Sequence, residues 1–294
     1  MSLGAIVFVA ALSLGATGAF FSDSETSTGN TFTAGNIDLQ IDNESYAVDN
    51  TIANFISPVG RLVFSTTTSW TLKDLVPGVD HFFNFSDLKP GDLGEDTISI
   101  HVGSNNAWMC VAAEITSDLD ISITEPEDNV GGGPGSDGTT DGDLDSALKF
   151  VFWHDDGDNV LETDEVSSIF LSGTLANMGT LGKIKLADSS GSILGGNTPI
   201  PGGTTFYIGK AWCMGTLTAD GTTAKTPDAV GHTGTGTGDS TNGPMQRGTG
   251  VNCDGSTEGN IAQTDSVVGD MQFYAVQSRN NPNFTCAHNY TPSW

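Results

Sequence analysis

Residues 36–42 read NIDLQID, a strict alternation of apolar and polar side chains. A period of two places Ile37, Leu39 and Ile41 on one face of a β-strand and the polar residues on the other. Similar short runs recur at residues 97–102, 120–124, 149–153, 205–213 and 270–278, with Gly- and Pro-containing turns such as 89–92 and 199–203 between them. The pattern predicts an all-β fold, an antiparallel jelly-roll-like β-sandwich.

The composition is that of an acidic protein with enough apolar residues for a core. Of 294 residues, 37% are hydrophobic, and the formal net charge is -26. Such a charge repels phosphate backbones and anionic lipid surfaces, so no nucleic acid is expected as a partner. Clustered carboxylates instead favour divalent cations.

Two stretches are rich in Gly and Asp and poor in apolar residues. They lie near residues 125–145 and 231–250, and are predicted to be long loop insertions. Because the composition does not change across either stretch, residues 42–294 are predicted to form one jelly-roll domain that carries both insertions.

The first 19 residues have the features of a signal peptide that is removed on export. Residues 2–19 carry no charge, and their apolar centre spans Ala5 to Leu14. The small residues at 17–19 suit a signal peptidase, which would leave Phe20 as the mature N-terminus. The protein is therefore expected to be extracellular or at the cell surface, and to meet a membrane only during export. A membrane anchor or a buried helix is the alternative interpretation.

The four cysteines form an even set, which favours two disulfides and an oxidising compartment. No two have the close spacing that zinc sites use. Three pairings are open among Cys110, Cys213, Cys253 and Cys286.

An acidic run, DDGDNVLETDE, spans residues 155–165. Its spacing is not that of an EF-hand, because the position that requires Gly is occupied by Leu161. Neighbouring apolar residues tie the run to the core, so its oxygens are expected to lie close together. The run predicts a structural Ca²⁺ site, with a solvated acidic loop as the alternative. The predicted ligands are Asp155, the Gly157 carbonyl, Asp158, Asn159, Glu162 and Glu165.

Residues 18–41, GAFFSDSETSTGNTFTAGNIDLQI, resemble the N-terminal signature of the TasA/camelysin family of exported, fibre-forming surface proteins. Four further stretches, which begin at Asp87, Phe152, Tyr207 and Phe273, are similar to the larger members of that family. The resemblance implies a jelly-roll subunit of an extracellular fibre, in a biofilm matrix or at a cell surface. It also implies export through a dedicated signal peptidase, and a freed N-terminal segment that enters the sheet of the next subunit as a donor strand.

The composition of residues 20–41 suits such a donor, because it is rich in Ser and Thr but keeps apolar anchors. Partners are then copies of the same chain in a head-to-tail homopolymer, with divalent ions bridging neighbouring fibres. The alternative is that the segment folds back as the first strand of its own domain. The predicted anchors are Phe20, Phe21, Phe32, Ala34, Ile37, Leu39 and Ile41.

Other functions are less well supported. HExxH and GxSxG are absent from the sequence and the five histidines are scattered, so neither a camelysin-like protease nor any other enzyme is predicted. A monomeric surface adhesin or carbohydrate-binding module is the main alternative. Its candidate stacking residues are Trp70, Trp108, Trp212 and Trp294.

Overall fold

A computed structural model describes residues 22–27, 32–33, 37–48, 62–122, 142–228 and 242–293. Phe20, Phe21, Ala34 and Trp294 therefore lie outside the described residues, as do most of the two predicted insertions.

The described residues form mainly β-strands with a few short helices. The strands are β1 (Ser22–Ser27), β2 (Phe32–Thr33), β3 (Leu39–Val48), β4 (Leu62–Phe64), β5 (Trp70–Lys73), β6 (Leu93–Val102), β7 (Ala107–Leu119), β8 (Leu148–Asp155), β9 (Leu171–Thr174), β10 (Lys183–Asp188), β11 (Gly191–Ser192), β12 (Thr205–Met214), β13 (Thr216–Thr218), β14 (Asn252–Asp254) and β15 (Ser266–Gln277). The α-helices are α1 (Leu144–Ala147), α2 (Leu175–Leu181), α3 (Pro244–Arg247) and α4 (Cys286–Asn289), and 3₁₀ turns span Val166–Ser168 and Gly255–Thr257.

The strands build two large antiparallel sheets. Sheet A has the order β11-β10-β7-β15-β1-β2, and sheet B has the order β4-β3-β6-β12-β8-β9 with β5 also paired to β3. A small third sheet pairs β13 with β14. The all-β class is confirmed, whereas the finer jelly-roll assignment stays a prediction.

One hydrophobic core contains residues from the inner faces of both large sheets. Ile41 and Ile100 from sheet B and Met109 and Phe273 from sheet A belong to it and are at most 1% exposed. Strands alternate their side chains between faces, so the inner face of β6 carries Ile98, Ile100 and Val102 in regular succession. This is the period of two that the sequence displays.

Five of the six predicted strand runs lie in strands β3, β6, β8, β12 and β15. The run at 120–124 does not begin a strand at Asp120, because β7 pairs with β15 up to Leu119 and ends there. Residues 123–124 lie outside the described residues.

The N-terminal strands complete one edge of sheet A. Strand β1 pairs antiparallel with β15 over six residue pairs, from Ser22 opposite Val276 to Ser27 opposite Met271. Strand β2 then pairs with β1. Ile37, Leu39 and Ile41 are buried in this chain's own core, and β3 pairs with β6 from Leu39 onward.

Two disulfides are formed, as the even cysteine count predicts. Cys110 pairs with Cys286 and Cys213 pairs with Cys253, with Cα–Cα distances of 5.7 and 5.5 Å. Both bonds indicate folding in an oxidising environment. Within the described ranges, none of the helices is both long and apolar enough to cross a membrane.

A candidate metal centre on the outer face of sheet B

The outer face of sheet B carries carboxylates that are buried. Glu44 on β3, Glu95 on β6 and Asp155 on β8 alternate with the core-facing residues of their strands, and each is at most 2% exposed. Buried carboxylates are rare in proteins unless they are paired or bind a metal. The outer face is therefore the chemically unusual surface of this fold.

The loop that follows β8 covers this face. It is tied down by a second, smaller apolar cluster that includes Trp153, Leu161 and Val251. The backbone N–H of Leu161 donates to the carbonyl of Thr249, and its carbonyl accepts from the N–H of Lys225. The loop is thus part of the folded structure, as its apolar residues suggest.

Two residues with positive φ angles turn the loop back toward the sheet. Gly157 has φ 111° and Asn159 has φ 64°, both in the left-handed region. The N–H of Gly157 donates to Asp155 Oδ2 over 3.0 Å, and the N–H of Val160 donates to Asp158 Oδ1 over 2.9 Å. The carboxylates of Asp155 and Asp158 consequently lie on the same side of the loop.

The six predicted ligands do not converge on one point. Asp155, Asp156 and Asp158 bring carboxylate oxygens within 4.8 Å of one another, and Asp158, Glu162 and Asp228 form a second such group. These spacings match oxygen pairs around an ion bound at about 2.3–2.6 Å. Within the described residues, both groups consist of carboxylates alone.

Arg247 accounts for the second group. Its guanidinium contacts Asp158, Glu162 and Asp228, the last at 3.0 Å, and its side chain is 16% exposed. Arginine offers several donors in a fixed fork, which suits neighbouring carboxylates. Glu162 is therefore neutralised by a side chain, and a metal ion is not needed there.

Glu165 serves the loop backbone. Its two oxygens accept from the N–H groups of Asp156 and Glu162, over 2.8 and 3.1 Å. Asp155 is also well bonded, because Trp153 Nε1 and Thr97 Oγ1 each donate to it over 2.9 Å.

Glu95 is the contrasting case. It is fully buried, and neither carboxylate oxygen has a hydrogen-bond partner among the residues that the structure describes. Burial raises the pKa of Glu95 well above its ordinary value, and the charges of Asp155, Asp96, Asp158 and Glu44 raise it further. A carboxylate in this position is costly unless a proton or a cation accompanies it.

The neighbouring carboxyl groups show the same excess of negative charge. Burial raises the pKa of Asp155 to about 7. Burial and the charges of Asp155 and Asp156 raise that of Asp158 to about 9, against the opposing effect of Arg247. Burial and Asp155 raise the pKa of Glu165 to about 9. Arg247 does not offset the whole cluster.

Sequence reasoning identified the loop but missed several residues that shape the site. Glu44 and Glu95 lie on polar positions of alternating strands, which ordinarily face solvent. Arg247 falls in the Gly-rich stretch predicted as an insertion, and Asp228 lies just before that stretch. The available signal was that Arg247 is the single arginine in residues 231–250.

The alternative sites gain little from the geometry. Trp70, Trp108 and Trp212 are at most 8% exposed, so their rings are not available for stacking on a sugar. His154 stacks on Phe206 with ring centroids 5.0 Å apart, and His101 lies 3.3 Å from Asp42.

Comparison with known proteins gave no match to a family model, a curated protein or a solved structure.

Proposed function

We propose that this chain is the structural subunit of an extracellular fibre, and that subunits join by exchange of their N-terminal strands. The observation that carries the proposal is the pairing of β1 with β15 at the edge of sheet A. A strand at a sheet edge can be supplied by a second copy with the same hydrogen bonds, and head-to-tail exchange builds an open filament when the rotation between subunits does not close into a ring.

Within a single chain, β1 folds back onto its own sheet. The acceptor edge in a fibre is then β15, and the register of the exchanged strand is the one seen here, with Ser27 opposite Met271. Because Ile37, Leu39 and Ile41 are buried in the chain's own core, the exchanged segment narrows from residues 20–41 to β1, β2 and the residues around them.

The remaining support is indirect. The N-terminal sequence resembles that of the TasA/camelysin family, and two disulfides suit a subunit that works outside the cell. A net charge of -26 keeps such fibres soluble and lets divalent ions bridge them.

The test compares protein that starts at Phe20 with protein that starts at Asn36 by negative-stain electron microscopy. We expect fibres from the first and monomers from the second, because the second lacks β1 and β2. Fibres from both, or from neither, would contradict strand exchange.

Cross-linking identifies whose sheet receives the strand. Ser27→Cys and Met271→Cys are placed in separate chains, which are mixed and oxidised. Directly opposed residues lie about 4.5–5.5 Å apart at Cα, within disulfide reach. We expect disulfides between the two chains. Their absence in assembled material, together with an efficient bond when both cysteines are in one chain, would show that β1 remains in its own subunit.

A further inference from the structure

The Glu95 carboxylate has no hydrogen-bond partner among the described residues, and hydrogen bonds from the loop do not compensate its burial. It lies beneath the loop, where the charges of Asp155 and Asp158 both act on it. All three side chains are at most 2% exposed. No hydrogen bond within the described residues reaches either oxygen of Glu95.

Asn159, which follows Asp158 in the loop, carries a second unpartnered oxygen. Its Nδ2 lies 3.5 Å from Glu44 Oε1, a long contact, and Glu44 is also held by a 2.5 Å hydrogen bond from the Tyr46 hydroxyl. With its amide nitrogen directed to Glu44, Asn159 leaves Oδ1 without a partner in the described part of the chain, and this residue is 0% exposed.

We propose that Asp155, Asp156 and Asp158, whose carboxylate oxygens lie within 4.8 Å of one another, bind one hard divalent cation, Ca²⁺, and that the unpartnered oxygens of Glu95 and Asn159 complete the site beneath the loop. Carboxylate and amide oxygens are the ligands this ion prefers, and these side chains offer enough of them for its usual six to eight contacts. The site differs from the loop site expected from residues 155–165, because Glu95 on β6 contributes to it and Glu162 and Glu165 do not.

The arrangement assigns the ion a structural task. Glu95 belongs to β6, Asp155 ends β8, and Asp158 and Asn159 belong to the loop. An ion held by all of them fastens the loop to the sheet and offsets the repulsion among the buried carboxylates. Asp158 also contacts Arg247, so the ion and the guanidinium share the acidic cluster between them.

Terbium luminescence tests the site directly, with protein stripped of metal by a chelator. Tb³⁺ replaces Ca²⁺ in oxygen sites and is excited through a nearby indole; Trp153 Nε1 lies 2.9 Å from Asp155 Oδ1. We expect tryptophan-sensitised Tb³⁺ emission that Ca²⁺ displaces, and a rise in Tm of about 5 °C or more when Ca²⁺ is well above its dissociation constant.

Three variants make the test specific. Glu95→Gln keeps the shape of the side chain and should weaken Ca²⁺ binding about tenfold or more. Asp156→Asn changes an exposed side chain, keeps its shape, and should weaken binding by a smaller factor. Glu114→Gln, a half-exposed carboxylate on β7 in the other sheet, is the matched control and should leave binding unchanged.

The competing explanation is that Glu95 simply holds a proton. Glutamine mimics the protonated acid, so in chelator Glu95→Gln should be at least as stable as the parent chain under either explanation. With Ca²⁺, only the metal site predicts that the parent gains stability and Glu95→Gln does not. Equal Ca²⁺ responses in Glu95→Gln and Glu114→Gln, or no response in the parent chain, would overturn the proposal.

Discussion

Replacing Lys210 with methionine removes the cation from a buried ion pair while keeping the length of the side chain. Lys210 on β12 lies opposite Asp96 on β6, with 2.9 Å between Nζ and Oδ1, and both side chains are at most 1% exposed. The ammonium also lies 3.5 Å from the centre of the Phe83 ring. The pair belongs to the inner face of sheet B, away from the acidic loop.

The loss of stability caused by Lys210→Met depends on pH, because its partner Asp96 can take up a proton. Burial raises the pKa of Asp96 from 3.8 to about 6, although Lys210 lowers it. In the parent chain, this group therefore reduces stability as the pH rises from 3.8 to about 6, and its effect is constant above that. Without Lys210 the pKa of Asp96 rises further, so stability continues to fall above pH 6.

The slope of that fall is about 1.4 kcal/mol per pH unit for one group. Over about two units, Lys210→Met should lose about 3 kcal/mol relative to the parent chain by about pH 8, near the value typical for breaking a buried pair. Near pH 5 Asp96 is neutral in both folded chains, so the variant should be at least as stable as the parent, which then keeps a buried ammonium without a charged partner.

Urea unfolding at several pH values measures this difference. The double variant Lys210→Met/Asp96→Leu should recover most of the loss near pH 8 and should lack the fall in stability with rising pH that Asp96 causes, because it leaves no buried charge. Lys89→Met, which removes the cation of the exposed pair with Asp87, should stay within about 0.5 kcal/mol. A pH-independent loss in the single variant, or no recovery in the double variant, would refute the reasoning.

Three further predictions concern other parts of the fold. Replacing both Cys213 and Cys253 with serine opens a bond that spans 40 residues and should lower the free energy of unfolding by up to about 4 kcal/mol, measured in urea; no loss would show that the bond does not constrain the unfolded chain. Gly209→Ala should lower the free energy of unfolding by about 1–3 kcal/mol, because the new Cβ would lie 2.2 Å from the buried indole of Trp153. Gly221→Ala, whose new Cβ would have nothing within 4 Å, is the control. Equal stabilities of the two variants would contradict this packing. Arg247→Met should lower the free energy of unfolding by about 3 kcal/mol in chelator, because it leaves three neighbouring carboxyl groups without their shared cation; an unchanged free energy of unfolding would argue against the ion contacts.

The strands and the core were largely predictable from the sequence. Alternation in NIDLQID places Ile37, Leu39 and Ile41 on one face without reference to any distant residue, and that face is buried. The acidic loop was predictable for the same reason, since its residues are consecutive. The run predicted at 120–124 follows directly on the end of β7 at Leu119, and its last two residues lie outside the described part of the chain.

The candidate site was only half predictable. The sequence alone determined that this chain forms alternating strands, carries an excess of carboxylates, and has enough cysteines for two disulfides. The tertiary structure decided which cysteines pair and which edge of sheet A receives β1. It determined that Glu44 and Glu95 are buried, although the alternation of their strands predicts that they face solvent. It also decided that Arg247, 82 positions after Glu165 in the sequence, neutralises part of the acidic loop. The reason is physical: a period of two is a property of neighbouring residues, whereas burial and charge compensation depend on which distant segment packs against each face.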